Sequence, residues 1–293
     1  MKNLIEYVQK VNDKLNVKLA GTGDEVKVLT LEDVGSVVEL YRAVHAELQA
    51  AKCEKFMHQL QPHEVEELVT SKDSAIVGYF KQGKHLAGAL YTKPFESDSK
   101  FFQTPIYEDG KTVYCIGGLA VHPDYRGNGV VSKIANVAVN GVKEYALANP
   151  ESGIAGSGFE ISCENFGSLM SLGGAKDDAQ NPLFNLLGIH YINDPQAQDN
   201  DLTVLGYTSF GQIPEQVDAL PQVTLNGVQS ESFEALDSAV QEIGASQDGT
   251  TTVNIDGHNI TTFNNYLNAP IKSVVSFEDG YAESYLAAVP QEQ

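Results

Sequence analysis

The residues with the clearest chemical pattern in this chain lie in the segment Tyr114–Ser132. A run of apolar and small residues, Cys115–Val121, is followed by a turn and then by the basic, glycine-containing loop Arg126–Gly129, and a helical pattern begins at Val130. A strand, a glycine loop and a helix start in this order bring free backbone N–H groups and the positive end of a helix dipole together. The segment therefore predicts a phosphate-binding site.

Two common phosphate-binding patterns do not account for this segment. The Gly-x-x-x-x-Gly-Lys-Ser/Thr loop of nucleotide hydrolases is absent from the sequence. A dinucleotide-binding loop needs a third glycine, where Ser132 stands, and it belongs to repeating strand–helix–strand units, whereas hairpin patterns come first here. Neither nucleotide hydrolysis nor dinucleotide binding is favoured.

The segment resembles the cofactor loop of the GNAT superfamily of acyl-CoA-dependent N-acyltransferases. Their loop, Gln/Arg-x-x-Gly-x-Gly/Ala, follows a strand that often ends in Ala-Val-x-Pro, and here Leu119–Pro123 leads into Arg126–Val131. The match covers Arg126 and Gly129 and departs at Val131, where a branched side chain is expected to crowd a pyrophosphate. A second family pattern, Glu-Asn-x-x-Ser before an apolar helix, is similar to residues 164–168, so the resemblance spans about residues 25–212.

The resemblance implies an α+β fold, with a mixed, mostly antiparallel central sheet flanked by helices. It implies an acetyl-CoA-dependent N-acyltransferase that moves an acetyl group to a primary amine, on a small molecule or a protein. The implied cofactor-binding residues are those of the strand end, the loop and the Asn-x-x-Ser pattern: Leu119, Ala120, Val121, Arg126, Gly127, Asn128, Gly129, Val130, Val131, Ser132, Asn165 and Ser168.

Acetyl transfer to an amine needs a group that accepts the ammonium proton and a group that stabilises the leaving thiolate. Glu160 is the candidate base, because ribosomal-protein N-terminal acetyltransferases of this superfamily use a glutamate at the same spacing before the motif Asn. A surface glutamate with no role, with water as the base, is the alternative. The usual family tyrosine falls on Leu172, so Tyr114 is the candidate acid, with Tyr125 and Tyr191 as alternatives.

One weaker pattern could indicate a metal site. Cys53, His58 and His63 recur at five-residue intervals, but this spacing does not align on one helix face and no fourth ligand is apparent, so no metal site is predicted. The three cysteines are scattered, the N-terminus is too polar for a signal peptide, and no apolar run has membrane-spanning length. These features predict a cytoplasmic protein without membrane partners.

Acidic and basic side chains are distributed unevenly along the chain. Residues 177–293 contain 17 acidic side chains and one lysine, whereas the first 176 residues contain 22 acidic and 18 basic side chains. An acidic half makes nucleic acid an unfavourable partner and either attracts a cationic amine or only solvates the protein.

We predict a GNAT-like domain at 1–212 and a small acidic α+β domain at 213–293 that covers the acceptor site, mediates homodimerisation, or does both. The alternative function is a catalytically silent GNAT-fold protein that binds a partner through this acidic half.

Periodicity and turn residues predict the elements that position these groups. The first half is predicted to contain helices at 2–16, 34–48 and 62–70, strands at 25–29 and 112–121, and a hairpin of 74–80 with 85–91. A helix from Val130 to Asn149, a strand at 158–163, a helix at 165–172 and strands at 189–192 and 202–210 follow. A boundary at 213–221, a strand near Val223, a helix at 232–243, a hairpin of 250–255 with 258–263 and a strand at 271–277 complete the prediction.

Overall fold

The computed structural model describes most of the first 210 residues and short strands thereafter. The described residues are 3–50, 57–96, 99, 110–162, 165–181, 183–191, 202–210, 224–225, 250–255, 258–263, 273–278 and 283–288. The predicted boundary at 213–221 and the predicted helix at 232–243 lie outside them. The division of the chain into two domains therefore stays a prediction.

Five helices occur in the described part of the chain: α1 (Leu4–Leu19), α2 (Val34–Ala50), α3 (Pro62–Thr70), α4 (Val130–Ala148) and α5 (Phe166–Gly173). The strands of the first 210 residues are β1 (Glu25–Val28), β2 (Ala75–Lys81), β3 (His85–Pro94), β4 (Thr112–Val121), β5 (Ile154–Ser162), β6 (Asn185–Tyr191) and β7 (Leu202–Ser209). Later strands are β8 (Thr224–Leu225), β9 (Thr250–Ile255), β10 (His258–Phe263), β11 (Ser273–Glu278) and β12 (Glu283–Ala288).

One seven-stranded sheet organises the first 210 residues, in the order β1-β2-β3-β4-β5-β7-β6. Neighbouring strands in this sheet are antiparallel except β4 and β5, which run parallel. The predicted mixed, mostly antiparallel α+β architecture is confirmed. The later strands form two smaller sheets, the predicted hairpin of β9 with β10 and a sheet of β8, β11 and β12.

Helices cover both faces of the large sheet. On one face, the apolar stripe of α4, which includes Ile134, Ala138 and Val142, packs with Leu4 and Val8 of α1 in one core cluster. On the other face, buried residues of α2 and α3 form a second cluster with β2 and β3. Because both faces of β2 are covered, six of its seven residues are buried, as expected for a central strand that reads as a continuous apolar run.

Local sequence signals explain where several elements begin and end. Thr30 N donates to Asp33 Oδ2 at 3.0 Å, a capping interaction just before α2. Gln82 and Gly83 have φ of 51° and 65°, so the β2–β3 hairpin turns through two left-handed residues, as a type I′ turn requires. α4 ends at Ala148, with Asn149 as its C-cap and Pro150 next, within one residue of the predicted end.

Several elements differ from the predicted bounds. Strands β5 and β6 begin at Ile154 and Asn185, each four residues earlier than predicted, and α1 extends to Leu19. Strand β12 was not predicted, although it pairs along its whole length with β11. None of the helices in the described part of the chain combines the length and apolar character needed to cross a membrane.

Candidate active site

The parallel pair at the centre of the sheet separates halfway along its length. Strand β4 pairs with β5 only from Thr112 to Cys115, which lies opposite Gly158. Beyond Cys115, β4 continues to Val121 while still paired with β3, and β5 continues to Ser162 while paired with β7. The separation leaves backbone edges of both strands facing a gap at the end of the sheet where the glycine loop begins.

A cavity of about 330 Å³ opens beside this gap. Both aromatic and polar side chains line it, which suits a ligand that must be held in one orientation. Its lining residues come from α2, the segment before α3, β3, β4, β5 and α5: Tyr41, Met57, His58, Leu60, Tyr91, Ile116, Gly117, Gly118, Leu119, Glu160, Ile161, Asn165, Ser168 and Leu172.

Glu160 is the carboxylate on the β5 side of the cavity. Its neighbours in sequence, Phe159 and Ile161, are buried, whereas Glu160 is only partly buried. Ser99 Oγ donates a hydrogen bond to Glu160 Oε1 at 2.7 Å, so a residue of the β3–β4 connection orients the carboxylate. The candidate base thus faces the cavity, as its proposed chemistry requires.

A β-bulge in β4 forms the floor of the cavity. Ala89 of β3 pairs with Ala120, but Tyr91 pairs with Gly117, so Gly118 and Leu119 oppose a single residue of β3. Gly118 has φ of +57°, and a Cβ there would lie 2.3 Å from the Tyr91 ring. Only glycine satisfies both requirements at this position.

The glycine loop joins β4 to α4 and exposes the helix N-terminus. Gly127 and Gly129 have φ of 76° and 68°, and a Cβ at either glycine would meet no protein atom within 4 Å. Gly129 is the N-cap of α4 and provides no side-chain cap, so the first amides of α4 face open space. Uncapped amides and the helix dipole fit a pyrophosphate.

Arg126 lies at the start of the loop, but its guanidinium contacts α2. Nη1 and Nη2 donate to the two carboxylate oxygens of Glu47 at 2.9 and 2.6 Å, and Nε donates to Val121 O at 3.2 Å. Both side chains remain nearly half exposed. No sequence pattern predicted this partner, which is 79 residues away in the chain.

The other predicted loop residues have distinct surroundings. Asn128 Nδ2 donates to Tyr125 O and Arg126 O, both at 3.2 Å, so this side chain folds back on the loop. Val131 is partly buried and packs against the core cluster shared by α1 and α4. The crowding expected from its branched side chain is therefore reduced. Ser132 Oγ accepts a hydrogen bond from Lys176 N at 3.4 Å, and the side chains of Ala120 and Val130 are buried.

The structure does not bring Tyr114 to Glu160. Tyr114 is buried in the core cluster that includes α1 and α4, and it does not line the cavity. Tyr41 and Tyr91 do line it, and burial raises the pKa of both phenols above the ordinary value. Sequence reasoning missed these two tyrosines, although adjacent glycines inside a strand, at 117 and 118, indicated a close approach of another group.

The last two predicted cofactor-binding residues, Asn165 and Ser168, lie at the N-terminus of α5. Asn165 Oδ1 accepts a hydrogen bond from Ser168 N at 3.3 Å, so Asn165 caps the helix, and both residues line the cavity. Leu172 is buried and also lines it, in the place where the resemblance led us to expect a tyrosine.

His58, one of the residues weighed as a metal ligand, lines the cavity and contacts Glu64. Its Nε2 lies 2.8 Å from Glu64 Oε1 and 3.0 Å from Glu64 Oε2. Among the described residues, no group of three or more His, Cys, Asp or Glu side chains could hold a metal ion. Cys53 lies outside the described residues.

Residues 38–149 match the model of the acetyltransferase (GNAT) family. They form a GNAT acetyltransferase domain. The matched range of this GNAT domain includes the bulge, the glycine loop and α4, whereas Glu160, Asn165 and Ser168 follow it. The family uses acetyl-CoA as its acyl donor. Among curated protein sequences, none matches this chain.

Several solved structures resemble the GNAT domain and its flanking elements. NAA60 from Arabidopsis thaliana in complex with a bisubstrate analogue has 14% sequence identity and a TM-score of 0.44, covering 64% of this chain and 97% of NAA60. A GNAT acetyltransferase from Streptococcus pneumoniae has 12% identity and a TM-score of 0.43, covering 64% and 99%. The putative acetyltransferase yncA from Salmonella typhimurium, with acetyl-CoA, has 11% identity and a TM-score of 0.41, covering 65% and 95%.

Proposed function

We propose that this protein is an N-acetyltransferase that transfers the acetyl group of acetyl-CoA to a primary amine. The observation that carries the proposal is that β4 borders both the gap beside β5 and the glycine loop before α4. The strand separates from β5 beside Glu160, and the same strand leads directly into the uncapped N-terminus of α4. A ligand with a phosphate group at one end and a reactive group at the other fits this arrangement.

The residues fit the CoA part of the donor. The amides of Gly129–Ser132 would donate to the pyrophosphate, and open space above Gly127 and Gly129 leaves room for its oxygens. Because the Arg126–Glu47 ion pair is nearly half exposed, it contributes little stability, and Arg126 can exchange Glu47 for a phosphate. The unpaired edges of β4 and β5 would accept the pantetheine amides, with Asn165 and Ser168 beside them.

The acid–base groups divide between the two sides of the cavity. Bound acetyl-CoA would supply the thioester, the electrophile of the reaction. The Glu160 carboxylate, oriented by Ser99, accepts a proton from the ammonium group of the acceptor. Burial raises the pKa of Tyr91, so this phenol stays protonated and can donate a hydrogen bond to the leaving thiolate.

The acceptor is proposed to be a cationic amine, because Glu160 lines the cavity and His58, another lining residue, has the Glu64 carboxylate beside it. His58 is exposed where it lines the cavity, which favours entry of the acceptor past this side chain. The acidic residues 213–293 are proposed to assist by attracting such amines to the protein.

The test combines binding and turnover. Isothermal titration calorimetry with CoA and with acetyl-CoA measures donor binding, and thiol release measures transfer to a polyamine, an aminoglycoside, an amino acid, a peptide N-terminus and a lysine-containing peptide. We expect both donors to bind and at least one amine to release thiol. The absence of any binding heat would refute the proposal, and binding without thiol release would instead support a catalytically silent binding protein.

A further inference from the structure

Helix α2 reaches the β-bulge through one buried side chain. Tyr41 is fully buried, and its hydroxyl donates a hydrogen bond to the carbonyl oxygen of Gly118. The same hydroxyl lies 2.8 Å from the position that a Cβ of Gly118 would take. The phenol therefore occupies the space that the missing side chain leaves and binds a backbone carbonyl within the bulge.

The bond to Gly118 O also fixes the direction of the next amide. The carbonyl of Gly118 and the N–H of Leu119 belong to one peptide unit, and no peptide bond among the described residues is cis. In a trans peptide the C=O and N–H point in opposite directions. Holding the carbonyl against Tyr41 thus holds the Leu119 N–H in one direction, in the part of β4 that borders the cavity.

The hydrogen bond from Tyr41 to Gly118 is retained in the folded protein near neutral pH. Burial raises the pKa of Tyr41 well above the ordinary value, so the phenol remains a donor. The ring of Tyr91 holds the other side of the bulge, since its Cε1 and Cδ1 atoms lie 2.3 and 2.6 Å from the position of a Gly118 Cβ. The bulge is therefore set by two aromatic side chains from two different elements.

We propose that Tyr41 is a positioning residue for acetyl transfer: it fixes the Gly118–Leu119 peptide so that the Leu119 N–H meets the thioester carbonyl. The proposal rests on the proposed function, because it assigns that N–H to an acyl group bound along β4. A donor aimed at the developing oxyanion contributes strongly to rate when it is preorganised. Misplacing it by about 1 Å costs about 10²-fold in rate.

The experiment compares Tyr41→Phe with Tyr79→Phe. Tyr79 is a matched control, because it is also buried in the sheet and its hydroxyl also makes one hydrogen bond, to Asp24 at 2.6 Å, but it does not line the cavity. We expect Tyr41→Phe to lower kcat by at least about tenfold with KM for acetyl-CoA changed by less than about threefold. Tyr79→Phe is expected to keep kcat within twofold of the wild type.

Two further readouts separate positioning from direct proton donation. Hydrogen exchange of the Leu119 amide is expected to accelerate in Tyr41→Phe and not in Tyr79→Phe, because only the first change releases the bulge. Positioning also predicts the same fold loss with an acyl donor whose leaving thiol is more acidic. Recovery of turnover with that donor would overturn the proposal, since it would make Tyr41 the acid.

Failure of this inference and failure of the proposed function give different results. A wild-type protein that releases no thiol with any amine contradicts the proposed function. An active wild type together with a Tyr41→Phe variant whose kcat stays within twofold contradicts only the role of Tyr41. Unchanged exchange at Leu119 would contradict that role as well.

Discussion

Replacing Gly118 by alanine tests the bulge that lies beneath the proposed acyl group. Gly118 has φ of +57°, and the added methyl would lie 2.3 Å from Tyr91 Cε1 and 2.8 Å from the Tyr41 hydroxyl. Real Cβ atoms do not approach other heavy atoms this closely, so Tyr91, Tyr41 or the strand must move. All three line the cavity.

The magnitude follows from two separate costs. A residue with a Cβ in the left-handed region costs about 1–2 kcal/mol. An added methyl in a packed site costs about 1–3 kcal/mol more. Together they lower the free energy of unfolding by about 3 kcal/mol, which corresponds to a decrease in Tm of about 10 °C for a domain of this size.

Gly129→Ala is the matched control for this substitution. Gly129 also has positive φ, at 68°, but a Cβ there meets no protein atom within 4 Å. Only the backbone cost applies, so we expect a loss of about 1 kcal/mol in stability. The methyl would enter the open space assigned to the pyrophosphate, so CoA affinity should fall by at least about tenfold, which is about 1.4 kcal/mol.

Thermal unfolding and calorimetric titration with CoA measure the two effects on the same samples. The expected result is a crossed pattern: Gly118→Ala loses more stability, and Gly129→Ala loses more CoA affinity. Equal decreases in Tm would show that Tyr41 and Tyr91 do not confine position 118. Unchanged CoA binding in Gly129→Ala would show that the loop does not receive the pyrophosphate.

Three further substitutions test single groups. Glu160→Gln should lower kcat by about 10²-fold, as expected for loss of a general base, with the Kd for CoA within twofold; an unchanged kcat would leave water as the base. Glu47→Gln should strengthen CoA binding by up to about fivefold in calorimetry, because an exposed ion pair holds Arg126 by less than about 1 kcal/mol. Weaker CoA binding would instead show that the ion pair with Glu47 keeps the loop in its binding conformation. Asp24 has a pKa lowered to about 2, chiefly by the hydrogen bond from Tyr79. Its carboxylate therefore stabilises the protein by at most about 2 kcal/mol above pH 4, and this contribution disappears as pH falls through 2. Urea unfolding of Asp24→Asn at pH 6 and near pH 2 should show a difference from the wild type only at the higher pH.

The elements that the sequence predicted well are those set by neighbours in the chain. Helix α3 has the predicted bounds, and the β2–β3 and β9–β10 hairpins form as their turn residues indicate. The position of the glycine loop between β4 and α4 also follows from local pattern. Capping, periodicity and turn chemistry act over a few residues, so a single sequence contains the information.

The parts of the site that the sequence missed depend on register between distant strands. Tyr91 faces the cavity because β3 pairs with β4 through a bulge, and the sequence does not give that register. Alternation along β4 separates Tyr114 from Cys115, but no pattern tells which face of the strand meets the cavity. No sequence pattern predicts the Arg126–Glu47 ion pair, because long-range side-chain pairs depend on how α2 lies on the sheet.

Helix α2 links the two ends of the proposed donor site. Tyr41 binds the bulge at Gly118, and Glu47 binds Arg126 at the start of the glycine loop. The segment between these contacts contains the end of β4 that borders the cavity and the turn that leads to α4. Since one helix contacts both ends of this segment, a shift of α2 would change the position of the reacting carbonyl and the pyrophosphate loop together. A movement of α2 as a whole is therefore expected to affect both ends of the donor site, and the Tyr41→Phe and Glu47→Gln substitutions should be non-additive in kcat but additive in Tm.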